Sequence, residues 1–284
     1  MVNNQTTLIG LIGHPLGHSL SPRMHNYTLQ KMGVNCVYLP FEVAPACLAE
    51  AVGGLRALNI RGVNVTIPFK QAVINYLDDL TPAARACGAV NLIKNENGRL
   101  IGYNTDGPGF MASLAEAGVK GNRVMLLGAG GAAHSLAYEL TAAGVEDMQI
   151  LDLDRDKARE LAGFVRNLPG GNAMGREMTD ELFIQLSAET DLIVNCTPVG
   201  MFPAVDFCPV SSLTQVPGDA VVYDLIYNPL STRFLAMAQA RNLKVINGLS
   251  MLVHQGALSL EILLGVQPPI AYMKEVVLDY YAEQ

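Results

Sequence analysis

Lys70 and Asp106, 36 positions apart, each close a segment rich in glycine, asparagine and threonine. The first segment is Gly62-Val63-Asn64-Val65-Thr66-Ile67-Pro68-Phe69-Lys70, and the second is Gly102-Tyr103-Asn104-Thr105-Asp106-Gly107. A glycine-rich loop, Gly128-Ala129-Gly130-Gly131-Ala132, begins 22 positions after Asp106. A lysine beside a nicotinamide supplies a proton donor, and an aspartate holds it in place, which is what reduction of a ketone to an alcohol requires. An oxidoreductase is therefore the first expectation.

Those residues need a folded frame, and the composition provides one. Of 284 residues, 50% are hydrophobic and only 16% charged, so one large domain or two moderate ones can be filled. The net charge of -7 comes with no Lys/Arg cluster, so no nucleic-acid partner is expected. The five cysteines are scattered without disulfide or metal-ligand spacing, which points to reduced thiols and no metal. The N-terminus lacks the basic and apolar regions of a signal peptide, and no apolar run is long enough to span a bilayer. A cytoplasmic protein with no membrane partner, monomeric or homodimeric, is expected.

Short apolar runs alternate with helix-length segments from residue 8 onward. Strands are expected at 8–12, 37–41, 62–66, 89–95 and 100–103, with helices at 21–32, 47–58, 70–77 and 82–87. Asn97-Gly98 signals a hairpin, and Pro22 suits the first turn of a helix. A connecting helix at 108–117 leads into a second run: strands at 124–127, 148–151, 191–195, 220–224 and 244–247, with helices at 131–143 and 234–240. The last 35 residues read as helical, broken at Gly265 and Pro268-Pro269. The fold class is α/β: an N-terminal α/β domain over 1–106, completed by 250–284, and a doubly wound nucleotide domain over 107–249.

The glycine loop follows a buried-type strand and precedes a helix. Gly128 permits the tight turn and Gly130 lets backbone approach a pyrophosphate. The small residues Ala129, Gly131 and Ala132 let the helix sit close, its N-terminus facing negative charge. Asp152 ends the next strand, 24 positions after Gly128, where a carboxylate accepts from ribose hydroxyls and repels a 2'-phosphate. NAD is thus favoured, with NADP kept open by Arg155 and Lys157. Asp152, Asp154 and Asp156 lack the turn glycine of a calcium loop, where Lys157 stands instead. Thr197-Pro198-Val199-Gly200-Met201 follows another buried strand, at the sheet edge where loops meet cofactor.

The motifs together are similar to those of the shikimate dehydrogenase family, including its quinate/shikimate branch. They run in order through Gly13-His-Pro-Leu-Gly-His-Ser19-Leu-Ser21-Pro-Arg-Met-His-Asn26, Asn64-Val-Thr66-Ile-Pro-Phe-Lys70, Gly88-Ala-Val-Asn91 and Gly102-Tyr-Asn-Thr-Asp106-Gly107. Beyond the glycine loop come Asn195-Cys-Thr-Pro-Val-Gly-Met201, Tyr223-Asp-Leu-Ile-Tyr227-Asn-Pro229 and Gly248-Leu-Ser-Met-Leu-Val-His-Gln255-Gly256. The resemblance implies a two-domain fold with the substrate in a cleft. Ser19 and Ser21 match residues holding the substrate carboxylate, and Thr66, Asn91 and Gln255, with Lys70 and Asp106, match residues at its ring hydroxyls. Tyr227 also lies at the substrate, while Thr197, Met201 and Gly248 belong with the cofactor set. Lys70 and Asp106 match the catalytic pair, and the reaction implied is oxidation of the shikimate C3 hydroxyl, or its reverse in aromatic amino-acid biosynthesis.

The chain departs from the NADP-dependent biosynthetic members where they carry an Asn-Arg-Thr group and a later arginine. Here stand Asp152-Leu153-Asp154 and Lys157, which points toward NAD and raises quinate as a second substrate. A strictly NADP-dependent biosynthetic enzyme is the main alternative. A catalytically silent nucleotide sensor and a methylene-tetrahydrofolate dehydrogenase rank below it. His14, His18 and His25 lack companion ligands for zinc, and Tyr38 reads as core more than as a substrate contact.

Overall fold

The computed structural model describes residues 2–17 and 19–283. The described residues form two compact units, one running to Gly109 and resuming at Val253, the other spanning Phe110–Leu252. Each unit is built on a six-stranded sheet.

In the first unit the elements are β1 (Thr7–Gly13), α1 (Ser21–Lys31), β2 (Cys36–Glu42), α2 (Leu48–Ala57), β3 (Gly62–Val65), β4 (Asp79–Leu80), α3 (Pro82–Cys87), β5 (Leu92–Glu96) and β6 (Arg99–Tyr103). The sheet order is β2-β1-β3-β5-β6-β4. β1 runs parallel to β2 and β3, whereas β5 is antiparallel to both β3 and β6, so this sheet is mixed. The β5–β6 hairpin turns on Asn97 and Gly98, whose positive φ values of 54° and 92° are those an Asn-Gly turn supplies. Pro22 lies in the first turn of α1 without costing a hydrogen bond. The expected helix over 70–77 is only a 3-10 stretch, Ala72–Tyr76.

α4 (Asp106–Glu116) begins in the first unit and runs into the second, which continues with β7 (Arg123–Leu127), α5 (Gly131–Ala142), β8 (Asp147–Asp152), α6 (Arg155–Arg166), β9 (Ala173–Glu177), α7 (Asp180–Ser187), β10 (Leu192–Asn195), β11 (Val221–Asp224), α8 (Arg233–Gln239) and β12 (Lys244–Ile246). Its all-parallel sheet has the order β12-β11-β10-β7-β8-β9, which is the doubly wound nucleotide-binding arrangement. Alternate residues serve opposite cores: Val124 and Leu126 join the cluster with α5 and α6, and Met125 and Leu127 join the one with Phe183 and Phe234. Covering both faces explains why these strands read as continuous apolar runs. The stretch α6-β9-α7 carried no expected elements. Yet α6 is strongly amphipathic, with Ala158, Leu161, Ala162 and Val165 on its buried face, and Asp154 caps it by accepting from Asp156 N and Lys157 N.

After β12 the chain forms α9 (Leu249–Leu264) and then α10 (Ile270–Ala282), which packs against α1 in the first unit. Gly62, in β3, is closely packed on both sides: a side chain there would collide with the Ile93 carbonyl and the Leu263 side chain of α9. Gly62→Ala is therefore expected to lower unfolding free energy by roughly 2–4 kcal/mol, read as a shifted urea midpoint at constant m-value. An unchanged midpoint would contradict this packing.

Candidate functional site

The polar site of the first unit is assembled by strand ends. β3 delivers Asn64 within the sheet and Thr66 just past it, and the turn after Pro68 brings in Lys70. The Lys70 carbonyl accepts from Val90 N at 2.7 Å, which pins its backbone beside Asn91. Asn91 is itself clasped by main-chain bonds, Asn91 N to Tyr103 O at 3.1 Å and Val65 N to Asn91 O at 2.8 Å. β6 then ends in Asn104-Thr105-Asp106, and Asp106 opens α4, where the helix dipole favours a carboxylate.

Lys70 Nζ donates to Asp106 Oδ2 at 2.5 Å. The other carboxylate oxygen, Oδ1, accepts from Asn91 Nδ2 at 2.8 Å. Asn91 Nδ2 also donates to Thr105 Oγ1 at 2.8 Å, and Asn91 Oδ1 accepts from Thr105 N at 2.7 Å. The amide therefore has one usable orientation, and it aims the carboxylate at the lysine. Asp106 and Asn91 are buried, whereas Lys70 is half-buried and retains access to a ligand. Gln255, on α9, lies with Oε1 3.5 Å from Asn91 Nδ2.

A second layer, missed in the sequence, stands behind this set. Asn64 Nδ2 donates to Ser259 Oγ at 2.9 Å, Ser259 donates to the Gln255 carbonyl at 2.8 Å, and its hydroxyl lies 3.4 Å from Thr105 Oγ1. Tyr38 is core, as expected, and its hydroxyl donates to Asn64 Oδ1 at 3.0 Å. Only one signal pointed to Ser259, its place one turn after Gln255 on the same helical face. His25 stacks on Tyr38 with ring centroids 4.3 Å apart, and burial holds its imidazole down to about 3, a neutral packing residue. His18 lies outside the described residues, and among those described no group of three or more His, Cys, Asp or Glu gathers as for a metal ion.

Ser21 is buried at the start of α1, and Ser21 N donates to Ser19 Oγ at 3.4 Å. Thr66 lies against Gly13, where any side chain would strike the Thr66 methyl group. Thus Lys70, Asp106, Asn91 and Gln255 are linked in one hydrogen-bonded set, while Ser19 and Thr66 lie in loops and Ser21 at the start of α1 of the same unit.

In the second unit the glycine loop joins β7 to α5. Gly128 has φ +96°, and Gly128 N donates to Leu151 O at 2.7 Å. Gly130, at the N-cap of α5, supplies no side-chain cap, and a Cβ added there would meet only open space. Gly131 and Ala132, half-buried in the first turn, leave room at the helix N-terminus. Uncapped N–H groups with nothing crowding them fit a dinucleotide pyrophosphate. Asp152 Oδ2 accepts from Ala129 N at 2.7 Å and Oδ1 from Asp154 N at 2.8 Å, fixing the carboxylate at the rim of that loop. Thr197 borders the same loop, since a side chain at Gly128 would meet its methyl group at 2.9 Å. Met201 is exposed, Gly248 is packed so that a side chain would collide with the Leu225 carbonyl, and Tyr227 follows β11 half-buried, its hydroxyl pushed up by burial.

An ammonium held by an oriented carboxylate can pass a proton to and from an alcohol oxygen, and a doubly wound sheet with an open glycine loop accommodates the dinucleotide that such redox chemistry uses. The class is an NAD(P)-dependent oxidoreductase. Residues 11–93 match the shikimate dehydrogenase substrate binding domain, and residues 248–278 the shikimate 5'-dehydrogenase C-terminal domain. A shikimate dehydrogenase (NADP(+)) of Syntrophomonas wolfei is 52% identical over 274 residues, covering 96% of this chain and 94% of that protein. The crystal structure of shikimate 5-dehydrogenase from Listeria monocytogenes in complex with shikimate and NAD superposes with a TM-score of 0.91 at 36% identity, covering 97% of this chain and 98% of that one. Quinate dehydrogenase from Corynebacterium glutamicum in complex with NAD gives 0.88 at 31%, covering 96% and 99%. The chain belongs to the shikimate dehydrogenase family.

Ser259→Ala would leave Asn64 Nδ2 with only its longer bond, 3.3 Å to the Asn91 carbonyl, and one buried hydrogen unpaired. A stability loss of about 1–3 kcal/mol is expected, read by denaturant titration. No loss would show that the second layer is not closed as described.

Proposed function

We propose that this protein interconverts shikimate and 3-dehydroshikimate. The observation that carries the reading is the Lys70–Asp106 contact of 2.5 Å, oriented by Asn91. Residues 1–106, completed by 250–284, act as the substrate domain, and 107–249 as the dinucleotide domain. Ser19 and Ser21 donate to the substrate carboxylate. Thr66, Asn91 and Gln255 pair with ring hydroxyls, and Tyr227 also meets the substrate. During reduction Lys70 Nζ gives a proton to the C3 oxygen as charge develops there, and during oxidation it takes that proton back. Asp106 holds the ammonium and accepts from the neighbouring hydroxyl. When bound, the nicotinamide supplies the hydride to C3 or accepts it. Gly128 to Ala132 receive the pyrophosphate, with Thr197, Met201 and Gly248 completing the cofactor set.

NADP(H) is the cofactor supported by the name of the relative at 52% identity. A second reading, NAD(H), is favoured by one specific observation: Asp152 is fixed at the rim of the glycine loop by Ala129 N and Asp154 N. A ribose 2'-hydroxyl can donate to such a carboxylate, whereas a 2'-phosphate is repelled by it and by Asp154. Of the two nearby cations, Lys157 lies 3.6 Å from Asp154 and is already partly neutralised, whereas Arg155 is exposed at the start of α6. Quinate enters as a second substrate on the strength of the quinate dehydrogenase neighbour, which was solved with NAD.

Initial rates on shikimate and quinate, each with NAD and NADP, test the proposal. Shikimate turnover with at least one cofactor is expected. A kcat/KM for NAD about tenfold or more above that for NADP would select the Asp152 reading, and the reverse ratio would select the cofactor of the relatives. No shikimate oxidation with either would overturn the function.

A further inference from the structure

Asp224 ends β11 with no solvent exposure, and the proposed chemistry does not use it. Its Oδ1 accepts from Asn195 Nδ2 at 3.0 Å and from Ile226 N at 3.1 Å, and its Oδ2 accepts from Thr232 Oγ at 2.6 Å. Asn195 is also fully buried and ends β10 beside it. The second Nδ2 hydrogen of Asn195 reaches the Val199 carbonyl at 3.4 Å. Its Oδ1 accepts from both Thr197 N at 3.0 Å and Thr197 Oγ at 2.6 Å. With its proton committed to Asn195, the Thr197 hydroxyl accepts from Val199 N at 3.2 Å.

These bonds form a chain with one direction. A carboxylate can only accept, so Asn195 must turn its NH2 toward Asp224 and its oxygen toward Thr197. In the flipped amide, oxygen would face carboxylate and NH2 would face the Thr197 N–H, opposing like partners at both ends. We propose that Asp224 is a positioning residue for the dinucleotide: its buried carboxylate locks the Asn195 amide in the orientation that closes the Thr197–Val199 loop. This rests on the reading that Thr197 belongs to the cofactor set. The loop touches the glycine loop through Thr197 and Gly128.

The carboxylate is kept there against its own solvation. Burial pushes its carboxyl up to about 6, and the hydrogen bonds from Thr232, Ile226 and Asn195 only partly offset this. The acidic groups that sense it, Cys196, Cys208 and Tyr223, all have raised values and are neutral near pH 7. For a carboxyl raised above its unfolded value, the stabilising contribution is full below the unfolded pKa and lost as pH rises through about 6. At pH 8 the buried charge therefore costs stability relative to a neutral carboxyl.

Asp224→Asn is nearly isosteric but replaces a group that can only accept with an amide, so Asn195 is then oriented only by Thr197 N and the Val199 carbonyl. In the full-length protein, titration with NADH and NADPH is expected to show about tenfold weaker binding of whichever reduced dinucleotide the wild type takes. The KM for shikimate and kcat at saturating cofactor should stay within roughly twofold. The melting temperature at pH 8 should not fall below that of the wild type. Thr197→Val cuts the same chain downstream, so it should weaken dinucleotide binding at least as much, and the double variant should be no worse than Thr197→Val alone. Unchanged dinucleotide binding in Asp224→Asn while Thr197→Val weakens it would overturn the positioning role alone. Unchanged binding in Thr197→Val would overturn the cofactor role of the loop and the inference with it. Equal losses for dinucleotide and shikimate, with a lowered melting temperature, would mark Asp224 as merely structural. If Asp224→Asn fails to fold, the role is likewise overturned, and Thr197→Val still reports on the loop.

Discussion

The first unit turns on the orientation of one carboxylate. Asp106 meets Lys70 through one oxygen and Asn91 through the other, and Asn91 is held by Thr105 and by main-chain bonds to β3 and β6. A lysine has three rotatable donors and a flexible stem, so it cannot set its own direction. Directional information must come from groups that have only one way to bond. Here it comes from an amide with its hydrogen-bonding ends assigned, standing on strand ends that cannot move without opening the sheet.

The same device recurs in the second unit at a different place. Asn195 is assigned by Asp224 as Asn91 is assigned by Thr105 and Asp106, and each amide converts a buried polar anchor into a loop or side chain of fixed aim. In both, a strand supplies rigidity, and the residue just beyond it supplies chemistry. Buried polar groups of this kind cost desolvation, so they persist only where their partners are complete.

The signals that were legible in the sequence were local ones. Asn97-Gly98 announced its hairpin, the glycine loop announced the β7–α5 turn, and the two polar segments ending in Lys70 and Asp106 pointed to that pair, whereas Thr66 and Asn91 entered only through the family resemblance. Parallel pairing in the second sheet followed from apolar runs separated by helix-length segments. α6 was equally legible, since its buried face repeats at helical spacing behind the Asp154 cap, although no element was expected there. Ser259 and Asp224 escaped because their roles depend on partners 195 and 29 positions away, a distance that no local pattern encodes. The cofactor stands between these cases. Asp152 was visible as an acid at a strand end, but its fixed contact with Ala129 N emerged only in three dimensions.

The most direct test of the account is Lys70→Ala, with turnover and ligand binding measured on the same preparation. If Lys70 moves the proton at C3, kcat should fall by about 10²–10⁴, the range for loss of a general acid–base group. Dissociation constants for shikimate and dinucleotide should change far less. A variant that binds both ligands and keeps near-normal turnover would contradict the central claim.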